Sequence, residues 1–348
     1  MTEYPSDIRT FLFIPLFNVK VSEDILNKKI NGFQIITSKQ YFESYRHILV
    51  EKGWPEYTNE LDYLVEIPKL GAIYHPVSSY IVVKEILLPE RPENVSFQDL
   101  QVHISKCMEK ILYFLMACRL VSGGNIQIKD YFVISKILKY RGNLGISTNG
   151  EDIDGIYLLS KHQVFCIPHY DITSINIKKI LLTAKKLFKV YDVVKIPIQY
   201  FMQYYSAKDI YDKIIKLAIV WETSILNDCK DELKYRLQVR SSSLLHRDIS
   251  KVLALVYDIR SDIVHGGDVK KNEIKKLKKI VGNDNIEETF VLIFIFIRDY
   301  LENITREILC IFINKIYKTR KTIEQVAKEI DDSIFCSFEK INPDTKRD

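Results

Sequence analysis

The chain has 348 residues, 47% of them hydrophobic and 27% charged, and a formal net charge of +5. That composition is ordinary for a soluble globular protein, the length leaves room for two domains, and the weak positive balance is no argument for nucleic-acid binding by itself. The longest apolar run, Phe290 to Ile297, is far shorter than a membrane span and closes on Arg298 and Asp299. The first ten residues, MTEYPSDIRT, lack the basic-then-apolar layout of a secretory leader. A cytoplasmic protein with no membrane partner is therefore expected. Six scattered cysteines form no C-x2-C pair, and seven histidines show no metal-ligand spacing. Neither a disulfide framework, a metal nor another cofactor is expected.

In chain order, the first half reads as mixed and strand-rich. Arg9 to Phe17, Tyr63 to Ile67 and Tyr80 to Leu88 are rich in β-branched and aromatic residues, with prolines at 15, 68, 76 and 89 marking strand ends and edges. Ser96 to Leu120 repeats its apolar residues at three- and four-residue steps and predicts a helix ended by Gly123-Gly124-Asn125. Short strands follow around Asp130 to Ile134 and Gly155 to Cys166, then a helix from Ile172 to Tyr191. Pro197 predicts an extended segment between Val193 and Phe201, which sets a domain boundary at residues 195/196.

Beyond that boundary the pattern is helical. Ser206 is the expected N-cap of a helix whose stripe is Ile210, Ile214, Leu217, Trp221 and Ile225. Asp248 is placed to cap the next helix but one, with a stripe of Val252, Val256, Ile259 and Ile263. Asn283 to Asn285 introduces a long helix to about Tyr317, Thr322 to Ile330 a short last one, and residues 342–348 a frayed tail. The expected architecture is α+β: a mixed domain over 1–195, a sensor or specificity module, then an all-α bundle of four main helices over 196–348.

Tyr257 to Gly266, YDIRSDIVHG, carries the chemistry. Arg260 and His265 put a permanent cation and a titratable acid/base at one helix end beside two glycines, groups able to cleave an RNA phosphodiester without a metal. On an ideal helix His265 lies about 140° round from Arg260. The C-cap glycines Gly266 and Gly267 are expected to unwind the last turn and bring His265 back toward it. The macrodipole and Asp262, three residues earlier, are placed to support a cationic His265. Lys270, Lys271, Lys275, Lys276, Lys278 and Lys279 follow directly, with Glu273 the lone acid, and would steer a polyanion such as RNA. The plainer alternatives are a surface ion-pair network of Asp258, Arg260 and Asp262, and a solvated lysine face.

The motif context YDIRSDIVHGG resembles the Apea-like branch of the HEPN domains (higher eukaryotes and prokaryotes nucleotide-binding). Residues 201–227, with Glu222 at the acidic position, resemble that branch's first long helix, and Lys234 to Leu245 its second. The match covers roughly Lys195 to Ile316. The resemblance implies a HEPN helical bundle and a homodimer formed through it, with paired Arg260 and His265. It also implies a metal-independent endoribonuclease acting on tRNA or single-stranded RNA through the 2′-hydroxyl, leaving a 2′,3′-cyclic phosphate, as an anti-phage defence or toxin effector. Ser261 stands where many members carry Asn, Asp or His, and Glu222 is expected to pair with Arg260 or Arg240. A catalytically inactive RNA-binding or scaffolding HEPN module, and a ligand-sensing interaction protein, are the alternatives.

Overall fold

The computed structural model describes residues 10–16, 19–30, 32–46, 80–86, 97–124, 126, 130–135, 139–143, 156–160, 163–166, 170–207, 209–229 and 231–341. The expected strand Tyr63 to Ile67 and the tail 342–348 lie outside them. The fold is α+β, and the chain divides into two compact units, 1–184 and 185–348.

The first unit is built on a five-stranded antiparallel sheet, order β3-β4-β1-β5-β6. Its strands are β1 (Thr10–Leu16), β3 (Gln34–Thr37), β4 (Tyr80–Ile86), β5 (Asp130–Ser135) and β6 (Lys139–Asn143). β1 lies at the centre and is buried from Leu12 to Leu16. Pro15 sits inside this central strand, although a proline cannot donate to the ladder. It is tolerated because β5 pairs only with Thr10 to Phe13, which leaves Pro15 opposite Ile81 of β4 alone. Phe13, Ile36, Ile81, Val83 and Phe132 pack with Tyr41 of the short α1 (Ser38–Tyr41) in one cluster. Two small pairs complete the strands: β2 (Val19–Val21) parallel to β9 (Tyr170–Ile172), and the hairpin β7 (Ile156–Ser160) with β8 (Gln163–Cys166). The helix expected at 96–120 is α2 (Phe97–Val121).

α3 (Ser174–Ser206) starts at a capping box, where Thr173 and Asn176 exchange backbone N–H bonds with each other's side chains at 2.9 and 3.4 Å. It then runs unbroken through Pro197, so no extended segment marks a boundary there and the two units divide within the helix. A proline inside a helix costs about 3 kcal/mol. Here Val190, Val194, Ile198 and Phe201, all buried, hold the flanking turns against their core and offset it.

The second unit continues with α4 (Ile210–Ser224), α5 (Leu233–Leu245), α6 (Ser250–Val264), α7 (Lys271–Val281), α8 (Thr289–Phe296), α9 (Glu302–Thr319) and α10 (Ile323–Ile341). Asp209, not Ser206, caps α4: its carboxylate accepts from the Asp212 N–H at 2.9 Å, while Ser206 is still helical at the end of α3. The long helix expected from 283 to 317 begins later and contains a π turn, Ile297–Leu301, between α8 and α9. Just past that turn the buried Glu302 accepts from the hydroxyls of Tyr204 and Tyr205 at 2.9 and 2.8 Å. Trp221, fully buried on α4, donates its indole N–H to Thr305 at 3.0 Å.

Arg240 is the most deeply buried cation of this unit, 1% exposed. It donates to both oxygens of Asp331 on α10, to both oxygens of Asp228 after α4, and to the Ile225 carbonyl, over 2.5 to 3.1 Å. These bonds hold the Asp228 carboxyl below its usual range. Removing one side of such a buried pair strands the other charges. Arg240→Ala should therefore lower the unfolding free energy by about 3–5 kcal/mol in urea melts followed by circular dichroism. Because Asp228's pKa is depressed by folding, the wild type's contribution from it is present above the ordinary Asp pKa and fades below about pH 4. Arg240→Ala should lose that acid sensitivity, and an unchanged pH profile would rule this account out.

Candidate functional site

The motif helix α6 is positioned by its apolar side. Leu253, Leu255, Val256 and Ile259 are buried, whereas the expected stripe members Val252 and Ile263 are only half-buried. The core face is thus rotated slightly from the expected one. Asp248 satisfies the start of the helix, as expected, by accepting from the Ser250 N–H at 2.9 Å and its hydroxyl at 2.6 Å.

The end of α6 is a Schellman turn. The Gly267 N–H reaches back to the Asp262 carbonyl at 2.9 Å, and the Gly266 N–H to Ile263 at 3.0 Å. Gly266 adopts φ +77, which a side chain would resist. At Gly267 an added Cβ would lie 3.3 Å from the Asp262 oxygen. The reversal comes after His265, not before it. His265 keeps near-helical angles, φ −87 and ψ 11, and its N–H still bonds the Ser261 carbonyl at 3.1 Å. The glycines therefore do not turn His265 toward Arg260, which corrects the expectation. The imidazole is exposed, and among the described residues it makes no side-chain hydrogen bond or ion pair.

Each charged motif residue of α6 instead reaches a different neighbouring element. Asp258 pairs with Lys234 of α5. Arg260 pairs with Glu222 of α4 at 3.2 Å, one of the two partners expected for that acid, and both side chains are about a quarter exposed. Asp262 pairs with Lys270 at the start of α7 at 2.6 Å. Ser261 contributes only its carbonyl, to His265. The Arg260 ion pair uses one terminal nitrogen, and the buried Arg260 Nε–H has no partner among the described residues.

The junction of α6 with α7 holds a second constellation. Glu273, buried, accepts the Lys270 N–H at 2.8 Å and faces Asp262. Burial, then the nearby Asp262 carboxylate, pushes the Glu273 carboxyl up, while the Lys270 ammonium holds Asp262 down. Beyond Glu273 the six lysines divide. Lys270 is held by Asp262, and Lys278 donates to the Asp284 carbonyl at 3.0 Å. Lys271, Lys275 and Lys279 are exposed on the face of α7 opposite Glu273 and Leu277, and Lys276 on its flank, with no acid among them.

Sequence reasoning missed a groove. Tyr235, Gln238, Val239 and Ser242 of α5, with residues 246–248 and Ser250, line a cavity of about 530 Å³. Among the described residues no helix is long and apolar enough to cross a membrane, and no three His, Cys, Asp or Glu side chains converge as metal ligands. Comparison of the chain with protein-family models, curated proteins and solved structures found no match.

Glu273 offers a direct check of the α6–α7 junction. Its carboxyl is raised by folding, so its ionisation costs stability that is fully felt above the folded pKa. Glu273→Gln keeps an acceptor for the Lys270 N–H and should raise the melting temperature at pH 7. The gain should vanish near pH 4, close to the ordinary Glu pKa, where the wild-type carboxyl is itself protonated. A lower melting temperature at pH 7 would contradict the assignment.

Proposed function

We propose that the chain is a metal-independent endoribonuclease whose second unit acts as a HEPN-type domain, with Arg260 and His265 as catalytic residues. One observation carries the reading. Arg260 is oriented by Glu222 yet keeps a buried Nε–H without a partner, whereas Arg240 has spent its donors on protein acceptors. The Nε–H itself is enclosed, but the guanidinium is about a quarter exposed with one terminal nitrogen left over, and a phosphate oxygen is the acceptor a guanidinium takes best.

In the proposed reaction the 2′-oxygen attacks the adjacent phosphorus as His265 takes its proton. Arg260 stabilises the charge on the pentacoordinate phosphorane. The P–O5′ bond then breaks and the 5′-oxygen takes the proton back from the His265 imidazolium, leaving a 2′,3′-cyclic phosphate and a 5′-hydroxyl. DNA, without the 2′-hydroxyl, is inert. Asp262 acts at a distance, through its charge near His265. Asp258 and Glu222 are positioning residues.

Since Arg260 and His265 diverge on one helix, the working pair is Arg260 of one copy with His265 of a second, in a homodimer. Val264, half-exposed and about 40° round α6 from Arg260, gives that face an apolar spot for a second copy to cover. The lysine face of α7 supplies the electrostatic attraction for tRNA or single-stranded RNA. The first unit serves as a sensor or specificity module, the protein works in the cytoplasm, and anti-phage defence or toxicity is the setting that fits such an activity.

A second reading is favoured by the same ion pair. If Glu222 simply neutralises Arg260, the bundle is a silent RNA-binding or scaffolding module. Cleavage of a mixed tRNA and single-stranded RNA pool in EDTA separates the two. Wild type should cut and leave cyclic-phosphate ends, while Arg260→Ala and His265→Ala should each lose about a hundredfold or more of the rate. Cleavage unchanged in both variants would refute the site. A folded wild type that binds RNA without cutting it would establish the silent module. Lys271→Glu, Lys275→Glu and Lys279→Glu together should weaken RNA binding and flatten its salt dependence, by about one unit of slope per lysine.

A further inference from the structure

We propose that the groove along α5 is a single-stranded RNA subsite that stacks a base on Tyr235 and leads the strand to Arg260. This rests on the RNA reading above, and it concerns residues outside the Arg/His motif.

The groove follows one face of α5. Tyr235, Gln238, Ser242 and His246 recur along it, spanning about 16 Å at 1.5 Å per residue. Its volume, about 530 Å³, lies in the range of small-ligand sites. Tyr235 is the most exposed large hydrophobic side chain described in this unit, at 64%. A solitary exposed ring surrounded by an amide, hydroxyls and an imidazole suits a nucleobase, which has an apolar face and a polar edge. It does not suit an amphipathic helix, which needs a run of apolar pockets.

The other end of the groove is strained. His246 adopts φ +52 as the C-cap of α5, where its N–H and that of Arg247 close the helix on Ser243 and Ser242 at 3.2 Å each. Glycine or asparagine is the usual choice there, because a β-carbon makes left-handed backbone unfavourable. The closing turn therefore gives no reason for histidine. Its imidazole is exposed and, among the described residues, without a hydrogen bond or ion pair. Beside it Arg247 pairs with Glu307 at 2.9 Å on the surface, and Asp248 is occupied in capping Ser250. Positive and negative groups so nearly balance that the groove recognises bases more than phosphates.

Position completes the argument. The Lys234–Asp258 ion pair fastens the Tyr235 end of α5 beside α6, two residues before Arg260. Ser242, which accepts from the Ile249 N–H at 3.2 Å, fastens the opposite end to the start of α6. A strand lying from His246 to Tyr235 thus runs toward the motif end of α6.

The test uses the full chain and a short 2′-O-methyl RNA, which binds but lacks the attacking hydroxyl, with 2-aminopurine in one position. Binding should quench the 2-aminopurine. Tyr235→Ala should weaken binding by about fivefold or more, the low end of one base–aromatic stack, whereas Tyr235→Phe should stay near wild type. His246→Gly removes the imidazole and suits the backbone angle, so binding should fall while the melting temperature holds or rises. If Tyr235→Ala and His246→Gly bind as wild type while Arg260→Ala still abolishes cleavage of ordinary RNA, the subsite is wrong and the nuclease stands. If wild type neither binds nor cuts any RNA, both fall. If Tyr235→Ala alters the oligomeric state and leaves RNA affinity untouched, the groove is a protein interface and this proposal is overturned.

Discussion

The second unit depends on its most deeply buried cation. Arg240 joins the end of α4, through the Ile225 carbonyl and Asp228, to α10, through Asp331. Its guanidinium is almost wholly removed from water, while each carboxylate keeps somewhat under a third of its surface exposed. The desolvation cost thus falls mainly on the group that tolerates it best, since a guanidinium is more weakly hydrated than an ammonium and forks onto two carboxylates at once. With α4, α5 and α10 tied at one point, the helix that packs on α4 and α5 has little freedom left. That helix is α6.

The same residue type then does opposite things in one bundle. Arg240 has a partner for each of its nitrogens and nothing left to offer a ligand. Arg260 sits at the rim, held from one side by Glu222 and unsatisfied at Nε. The chemical difference is burial and the count of acceptors, not the side chain. A saturated arginine is scaffold, and on the proposed reading the anchored but unsaturated one receives the anion. His265 follows the same logic, lying just where the Schellman turn begins, with no side-chain partner among the described residues to hold its ring.

How much of this the sequence discloses varies with the range of the forces involved. The strands at 10–16 and 80–86, the helix over 97–121 and the stripe of α4 follow from local pattern and were legible. The boundary was not, because Pro197 is read as a local breaker while long-range burial of Val194, Ile198 and Phe201 decides the outcome. The cap of α4 moved from Ser206 to Asp209 for the same reason: α3 is held helical to its end by contacts no window of sequence contains. At the site, Glu222 as the partner of Arg260 was one of two readable options. The clamp on Arg240 was illegible, since its two acids lie 12 and 91 residues away.

The lesson of greatest consequence for function is the turn after His265. Glycines following a motif invite the idea that the chain bends to bring its residues together. Hydrogen-bond order decides otherwise: the Schellman bonds run from Gly266 and Gly267 back to Ile263 and Asp262, so the residue before them stays in the helix. Arg260 and His265 are then five residues apart on one cylinder, about 7.5 Å along the axis and 140° around it. Side chains so placed do not converge on one phosphorus from a single helix. On the proposed homodimer reading, a two-fold axis beside that helix end would remove the difficulty, because rotation would set each arginine against the other copy's histidine without bending either chain. On the proposed reading the glycines serve a different purpose from the one their position first implies. They stop the helix cleanly and let the chain turn back into α7, whose outer face carries the exposed lysines.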